Sequence, residues 1–233
     1  METNKIYCGD ALQVLAKFAA GSIDCCFTSP DPPFERMMEK GKNVVGSESN
    51  TIEYLKHLID IFEEVKRVLK NEGSLWVQMG DYHQEGTMRL IPEAFAIAMV
   101  RKGWYLKSKL IWHHPNKKVQ QEETDRFMRD WEYLFFFTKS INHYFNNKDN
   151  HFNKTSVYQI PYVIPPNNQF ESGFPEDLIK VAIKTTVPSS GIVLDPFACT
   201  GITGIVAKRL GRQFVLIDID KGLCEMMEIR LST

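Results

Sequence analysis

Short apolar runs alternate with amphipathic stretches along most of the chain. Ile6-Tyr-Cys8 and Ile23-Asp-Cys-Cys-Phe27 read as strands, the second a buried one, with a short amphipathic helix from Ala11 to Phe18 between them. From Thr51 to Leu69, apolar residues recur at Leu55, Leu58, Ile59, Phe62, Val65 and Leu69. That three-and-four spacing makes one face of a long helix, with Thr51 as its N-cap. Ser74 to Met79 predicts a strand ending in Gly80-Asp81. Ile91 to Arg101 predicts a helix closed by Gly103, and Trp104 to Trp112 alternates as a strand does. Glu132 to Thr138 is an apolar, aromatic strand. Phe174 to Lys184 predicts a helix with Pro175 at its start, where a missing N–H does no harm. Three stretches break the pattern. Residues 35–50 are polar and Gly-containing and read as a mobile loop. Residues 113–130 read as a second loop, and the Asn-rich, Pro-containing residues 139–172 as largely irregular.

The C-terminal quarter carries the most specific pattern. Ile192-Val-Leu194 is a strand, and Gly201, Thr203 and Gly204 permit a tight turn that bulkier residues would block. Ile205 to Leu210 is helical in character and closes on Gly211. Phe214-Val-Leu-Ile217 is a second strand, ending in Asp218. A strand, a small-residue turn, a helix and a strand that ends in an acid about 20 residues on form a nucleotide-type βαβ unit. Strands alternate with helices elsewhere too. The expected architecture is therefore α/β: a single Rossmann-like domain over 1–233, with a mostly parallel twisted sheet and helices on both faces.

Composition narrows the function only by exclusion. The 233 residues are 43% hydrophobic and 24% charged, ordinary values for a soluble domain. No apolar run is long enough to span a membrane, and no signal-peptide core stands at the N-terminus, so a cytoplasmic protein is expected. The five cysteines (8, 25, 26, 199 and 224) are scattered, without metal-ligand spacing, and read as reduced thiols; no metal is expected. A net charge of −1 means that a nucleic-acid partner needs locally concentrated positive charge. From Arg101 to Lys118 there are six Lys/Arg and no acid, with His113 and His114 inside the run. A solvated face is one reading; phosphate contact is the other. An aromatic-flanked structural role suits the His pair better than a metal site.

Thr28-Ser-Pro-Asp-Pro-Pro-Phe34, at the carboxyl end of the second strand, carries the candidate chemistry. An exocyclic amine on a nucleobase is a poor nucleophile, because its lone pair is delocalised into the ring. Acceptors aimed at its hydrogens draw the nitrogen toward a tetrahedral geometry. A Ser29 or Asp31 oxygen and a proline-flanked carbonyl are such acceptors, and the prolines bring no competing N–H. Phe34 can stack on an extruded base. Whether Ser29-Pro30 or Asp31-Pro32-Pro33-Phe34 forms the core is left open by the residues themselves.

The two motifs together resemble the β class of DNA amino-methyltransferases, which place the catalytic motif before the cofactor loop and make N4-methylcytosine or N6-methyladenine. The resemblance covers nearly the whole chain and implies a methyltransferase domain with permuted motif order, S-adenosyl-L-methionine as cofactor and double-stranded DNA as substrate. It implies catalytic roles for Ser29, Pro30, Asp31, Pro32, Pro33 and Phe34. Asp10 matches the segment reaching the cofactor adenine, and Phe174 with Pro175 the segment contacting its methionine part. Asp195, Pro196, Phe197, Cys199, Gly201 and Thr203 match the cofactor loop, and Asp218 the ribose acid. Two positions depart from the family loop: Cys199 replaces a Gly and Ile202 a Thr. Phosphate contacts are expected from Lys107, Lys109, His113, Lys117 and Lys118, with Arg126 and Arg129, and target recognition from about 113–172. A homodimer and a cognate restriction endonuclease are further partners to be expected of such an enzyme. Ser-Pro forms lean to cytosine in this family and Asp-Pro-Pro forms to adenine, and the balance here leans to cytosine N4. No Cys follows a Pro, so direct transfer without a covalent intermediate is expected. An RNA- or protein-directed relative, and a non-catalytic DNA-binding relative, are the alternatives.

Overall fold

The computed structural model describes residues 1–33, 44–116, 127, 129–146, 155–161 and 174–232. Its frame is an eight-stranded sheet in the order β1-β10-β9-β2-β3-β7-β6-β8. The strands are β1 (Lys5–Cys8), β2 (Ile23–Thr28), β3 (Leu69–Met79), β6 (Tyr105–His113), β7 (Trp131–Thr138), β8 (Val157–Gln159), β9 (Ile192–Asp195) and β10 (Gln213–Asp218). A separate small hairpin pairs β4 (His83–Gln84) with β5 (Thr87–Met88). The neighbours from β1 to β3 are all parallel. Among the described strands of this sheet, β7 alone runs antiparallel, between β3 and β6.

Period-two alternation decides which core each strand residue joins. On β2, Cys26 points into the layer of α1 (Ala11–Leu15), α2 (Thr51–Val68) and α3 (Ile91–Arg101). Its neighbours Cys25 and Phe27 point into the layer of α4 (Glu176–Thr186), α5 (Ile202–Arg209) and α6 (Lys221–Ser232). The sheet is thus covered on both faces, as the alternating pattern predicts.

Several details differ from the sequence reading. Asn50 rather than Thr51 caps α2, its side chain accepting from the Glu53 amide at 2.9 Å. α1 ends at Leu15, short of Phe18. β3 begins at Leu69, directly after α2, and α5 begins at Ile202. The stretch read as irregular contains β8, which adds to the β6 edge at Ile111–His113. Within the polar stretch 35–50, Val44 and Val45 are buried. The rest of that stretch up to 43, residues 117–126 and 128 of the second loop, and 147–154 and 162–173 of the third lie outside the described residues.

Candidate active site

The carboxyl ends of β1, β10, β9, β2 and β3 share one edge of the sheet. From β9 the chain crosses through α5 to β10 on one side; from β2 it crosses through α2 to β3 on the other. Between β9 and β2 the winding therefore reverses, the place where open α/β sheets open a crevice.

Asp195 ends β9 at that reversal and joins the two sequence motifs. Its Oδ1 accepts from Thr28 Oγ1 at 2.7 Å and from the Phe197 amide at 3.1 Å. Its Oδ2 accepts from Thr203 Oγ1 at 2.6 Å. Burial pushes this carboxyl up to about 6; the three donors oppose the shift without cancelling it, and nearby Asp218 adds to it.

The loop after Asp195 is shaped by close approach. Gly201 has φ +75, and a Cβ there would lie 2.8 Å from Met227 Cγ. A Cβ on Gly204 would lie 2.8 Å from Leu216 Cδ1, so this glycine lets α5 settle against β10. Cys199, where the family loop has Gly, takes φ +45. Its amide donates to Asp218 Oδ2 at 2.8 Å, and the Asp220 amide donates to Oδ1 at 2.9 Å. Asp218 is thereby fixed at the end of β10. Asp10 caps α1, accepting from the Gln13 amide at 2.9 Å.

A cavity of about 610 Å³ opens at the crevice. Ser29, Pro30, Asp31, Pro32 and Pro33 form one wall; Asp195, Phe197, Cys199 and Thr203 form another; Phe27, Trp112 and Phe174 give it aromatic surface. The Phe174 ring lies 5.4 Å from those of both Phe27 and Trp112, just before Pro175 caps α4. A narrower cleft adjoins, lined by Gly9, Asp10, Val44, Val45, Pro196 and Asp218 among others. Asp31, Phe197 and Cys199 line both spaces. Ser29 Oγ donates to Gln78 Oε1, and Gln78 Nε2 donates to Glu132 Oε2. Tyr54, buried in α2, donates to the Asp31 carbonyl at 2.8 Å.

The cations read as phosphate contacts are spread out. Arg129 lines the large cavity, with Nε and Nη1 buried and without a hydrogen-bond partner among the described residues. His113 ends β6 at the same edge, its Nε2 3.3 Å from Asp130 Oδ2. Lys107 and Lys109 are exposed farther back along β6, and Lys109 Nζ lies 4.9 Å from the Tyr133 ring centre. Arg101 and Lys102 close α3 at the opposite edge of the sheet, so the basic run is not one patch. His114 is buried against Trp112, ring centres 4.1 Å apart, as an aromatic-flanked structural residue would be. Phe34, Lys117, Lys118 and Arg126 lie outside the described residues.

Sequence reasoning did not single out Gln78, Glu132, Tyr54 or Trp112 as cavity residues. The available signal was a polar residue inside an apolar strand: Gln78 in Leu75-Trp-Val-Gln-Met79 and Glu132 in Trp131-Glu-Tyr-Leu-Phe135.

Comparison with known proteins bears on this geometry. The family model for N6 and N4 methyltransferases, described as DNA methylase, matches residues 23–229. The type II methyltransferase M.Cfr9I of Citrobacter freundii is 30% identical over 262 residues, covering 96% of this chain and 86% of its own length. The PvuII DNA methyltransferase (cytosine-N4-specific) has the same fold, with a TM-score of 0.84 at 20% identity over 99% of this chain and 86% of that one. A DNA modification methylase of Thermus thermophilus, solved in complex with S-adenosyl-L-methionine, gives 0.76 at 21% identity over 98% and 93%.

Proposed function

We propose, since the chain belongs to the DNA methylase family and is an S-adenosylmethionine-dependent DNA amino-methyltransferase, that it methylates N4 of a cytosine turned out of double-stranded DNA. Ser29 is the acceptor for the target amine. The observation that carries this reading is that Ser29 and the loop from Cys199 to Thr203 line one cavity, of a size that suits a base. The cytosine-N4 specificity named for the PvuII enzyme, whose fold this chain shares, points the same way.

The residues fit the cofactor. The narrow cleft has apolar walls at Val44, Val45 and Phe197 for a purine, Asp10 on the adenine side and the acid of Asp218 for ribose hydroxyls. Amide donors from Cys199 and Asp220 hold the Asp218 carboxylate at the end of β10, on the wall of the cleft. Asp31, Phe197 and Cys199, common to cleft and cavity, support a methionine end lying beside Ser29, with Phe174 on the cavity wall just before Pro175. When bound, S-adenosylmethionine supplies an electrophilic methyl group. The chain's own work is to strip delocalisation from the amine: Ser29 accepts from an N–H, and the prolines at 30, 32 and 33 stiffen the turn without competing donors. Phe27, Trp112 and Phe174 offer rings against which an extruded base stacks. His113 and Arg129, with Lys107, Lys109, Lys117, Lys118 and Arg126, are assigned to phosphate contact, and residues 113–172 to recognition.

A second reading gives the amine to Asp31, which also lines the cavity, and makes adenine N6 the target. The two are separated by turnover of Ser29→Ala and Asp31→Ala. If Ser29 is the acceptor, its loss slows transfer by about 100- to 1,000-fold, the scale for one preorganised polar group, while Asp31→Ala is milder. The opposite order would overturn the assignment.

A further inference from the structure

We infer that Gln78 and Glu132 form a positioning relay that fixes the direction of the Ser29 hydroxyl, so that its oxygen meets the target amine as an acceptor only. The inference rests on the reading of Ser29 as the amine acceptor. A serine hydroxyl carries one proton and two lone pairs, and left to itself it rotates to donate or to accept. An amine that must be drawn toward tetrahedral geometry needs an acceptor; a hydroxyl pointing its proton at the nitrogen would tie up the lone pair that attacks.

The relay removes that freedom. Ser29 Oγ donates to Gln78 Oε1, so its only proton is committed to that amide rather than to a substrate nitrogen. The Gln78 amide donates in turn to Glu132 Oε2. An ionised carboxylate can only accept, so the amide nitrogen must face Glu132 and the amide oxygen must face Ser29. Turning the amide over would oppose its oxygen to the carboxylate, two acceptors face to face, while Ser29 would have to turn and accept. Glu132 therefore sets the direction of the whole chain of bonds, two links away from the reacting atoms.

The sheet builds this arrangement from separate segments. Gln78 on β3 stands opposite Leu134 on the antiparallel β7, and Glu132 is two residues along, its diagonal neighbour on the same face. Gln78, the middle link, is 6% exposed, which limits competition from water at the amide. Gly80 supplies the room. A Cβ there would lie 3.0 Å from Glu132 Oε1 and 3.1 Å from its Cδ, so the missing side chain lets the carboxylate lean toward Gln78.

A double-mutant cycle tests whether Gln78 acts through Ser29. Single-turnover methyl transfer to DNA is measured for the wild-type protein, Ser29→Ala, Gln78→Leu and the double variant, with S-adenosylmethionine affinity measured by calorimetry on each. Gln78→Leu is expected to slow transfer by about 10- to 100-fold with cofactor affinity unchanged within about twofold. In the Ser29→Ala background the same substitution is expected to have almost no effect, because the hydroxyl it orients is gone. Should Gln78→Leu fail to bind cofactor, Glu132→Leu runs the same cycle from the far end of the relay. Losses that multiply, as for a purely structural role, overturn the relay and leave Ser29 as acceptor. A mild Ser29→Ala overturns the reading beneath it and the relay with it.

Discussion

Replacing Asp195 by asparagine should abolish a pH dependence that this carboxylate builds into the fold. Asp195 is 4% exposed, and burial pushes its carboxyl from 3.8 up to about 6. In the unfolded chain it returns to the ordinary value. Between the two values the native protein holds a proton that the unfolded chain has released. Its contribution is therefore most favourable below about pH 4, declines as pH rises to about 6, and stays at the lower level above. A gap of about 2 units corresponds to about 3 kcal/mol. Asparagine carries no charge at any of these pH values, and its amide can donate to Thr28 or Thr203, whose hydroxyls turn to accept. Urea denaturation of both proteins from pH 4.5 to 8 reads the effect. The stability of Asp195→Asn relative to wild type should rise by about 2 kcal/mol across that range, the part of the full change it spans, and level off near pH 7. A difference that does not vary with pH would refute the account of Asp195 as a buried carboxylate joining the two motifs.

Other substitutions probe the same loop. Gly201→Ala, at φ +75 with Met227 Cγ 2.8 Å from the new Cβ, should destabilise the protein by about 2–4 kcal/mol in denaturant titrations; a cost under about 0.5 kcal/mol would contradict the tight turn. Cys199→Gly, at φ +45, should instead raise stability by up to about 1 kcal/mol by relieving a left-handed backbone, and a lower melting temperature would count against that strain. Asp218→Ala should weaken S-adenosylmethionine binding by about 1–3 kcal/mol in calorimetry, and unchanged affinity in a folded variant would remove it as the ribose acid.

The regular elements and the two motifs were legible because their signals are local. The runs at Ile23–Phe27 and Phe214–Ile217 are strands by apolar continuity, and Gly201 and Gly204 stand where turn and packing require them. What stayed hidden depends on pairing across long separations. Nothing near Trp131–Thr138 announces that this strand inserts antiparallel beside β3, yet that insertion brings Glu132 to Gln78, 54 residues away. β8 is three residues long in a polar stretch, and it forms because β6 offers it an edge. α6 buries only Cys224 and Met227, so its apolar stripe is too thin to read. The basic run from Arg101 to Lys118 looked continuous in the sequence. A strand spreads such a run along its length, leaving Arg101 and Lys102 at the edge away from the cavity.

The most direct test of the account is the chemistry of the product. DNA containing all sequences is incubated with the protein and S-adenosylmethionine, digested to nucleosides and resolved by mass spectrometry. N4-methylcytosine should appear only when protein and cofactor are both present, and should fall with Ser29→Ala. N6-methyladenine as the sole modified nucleoside would contradict the assignment of Ser29 and cytosine.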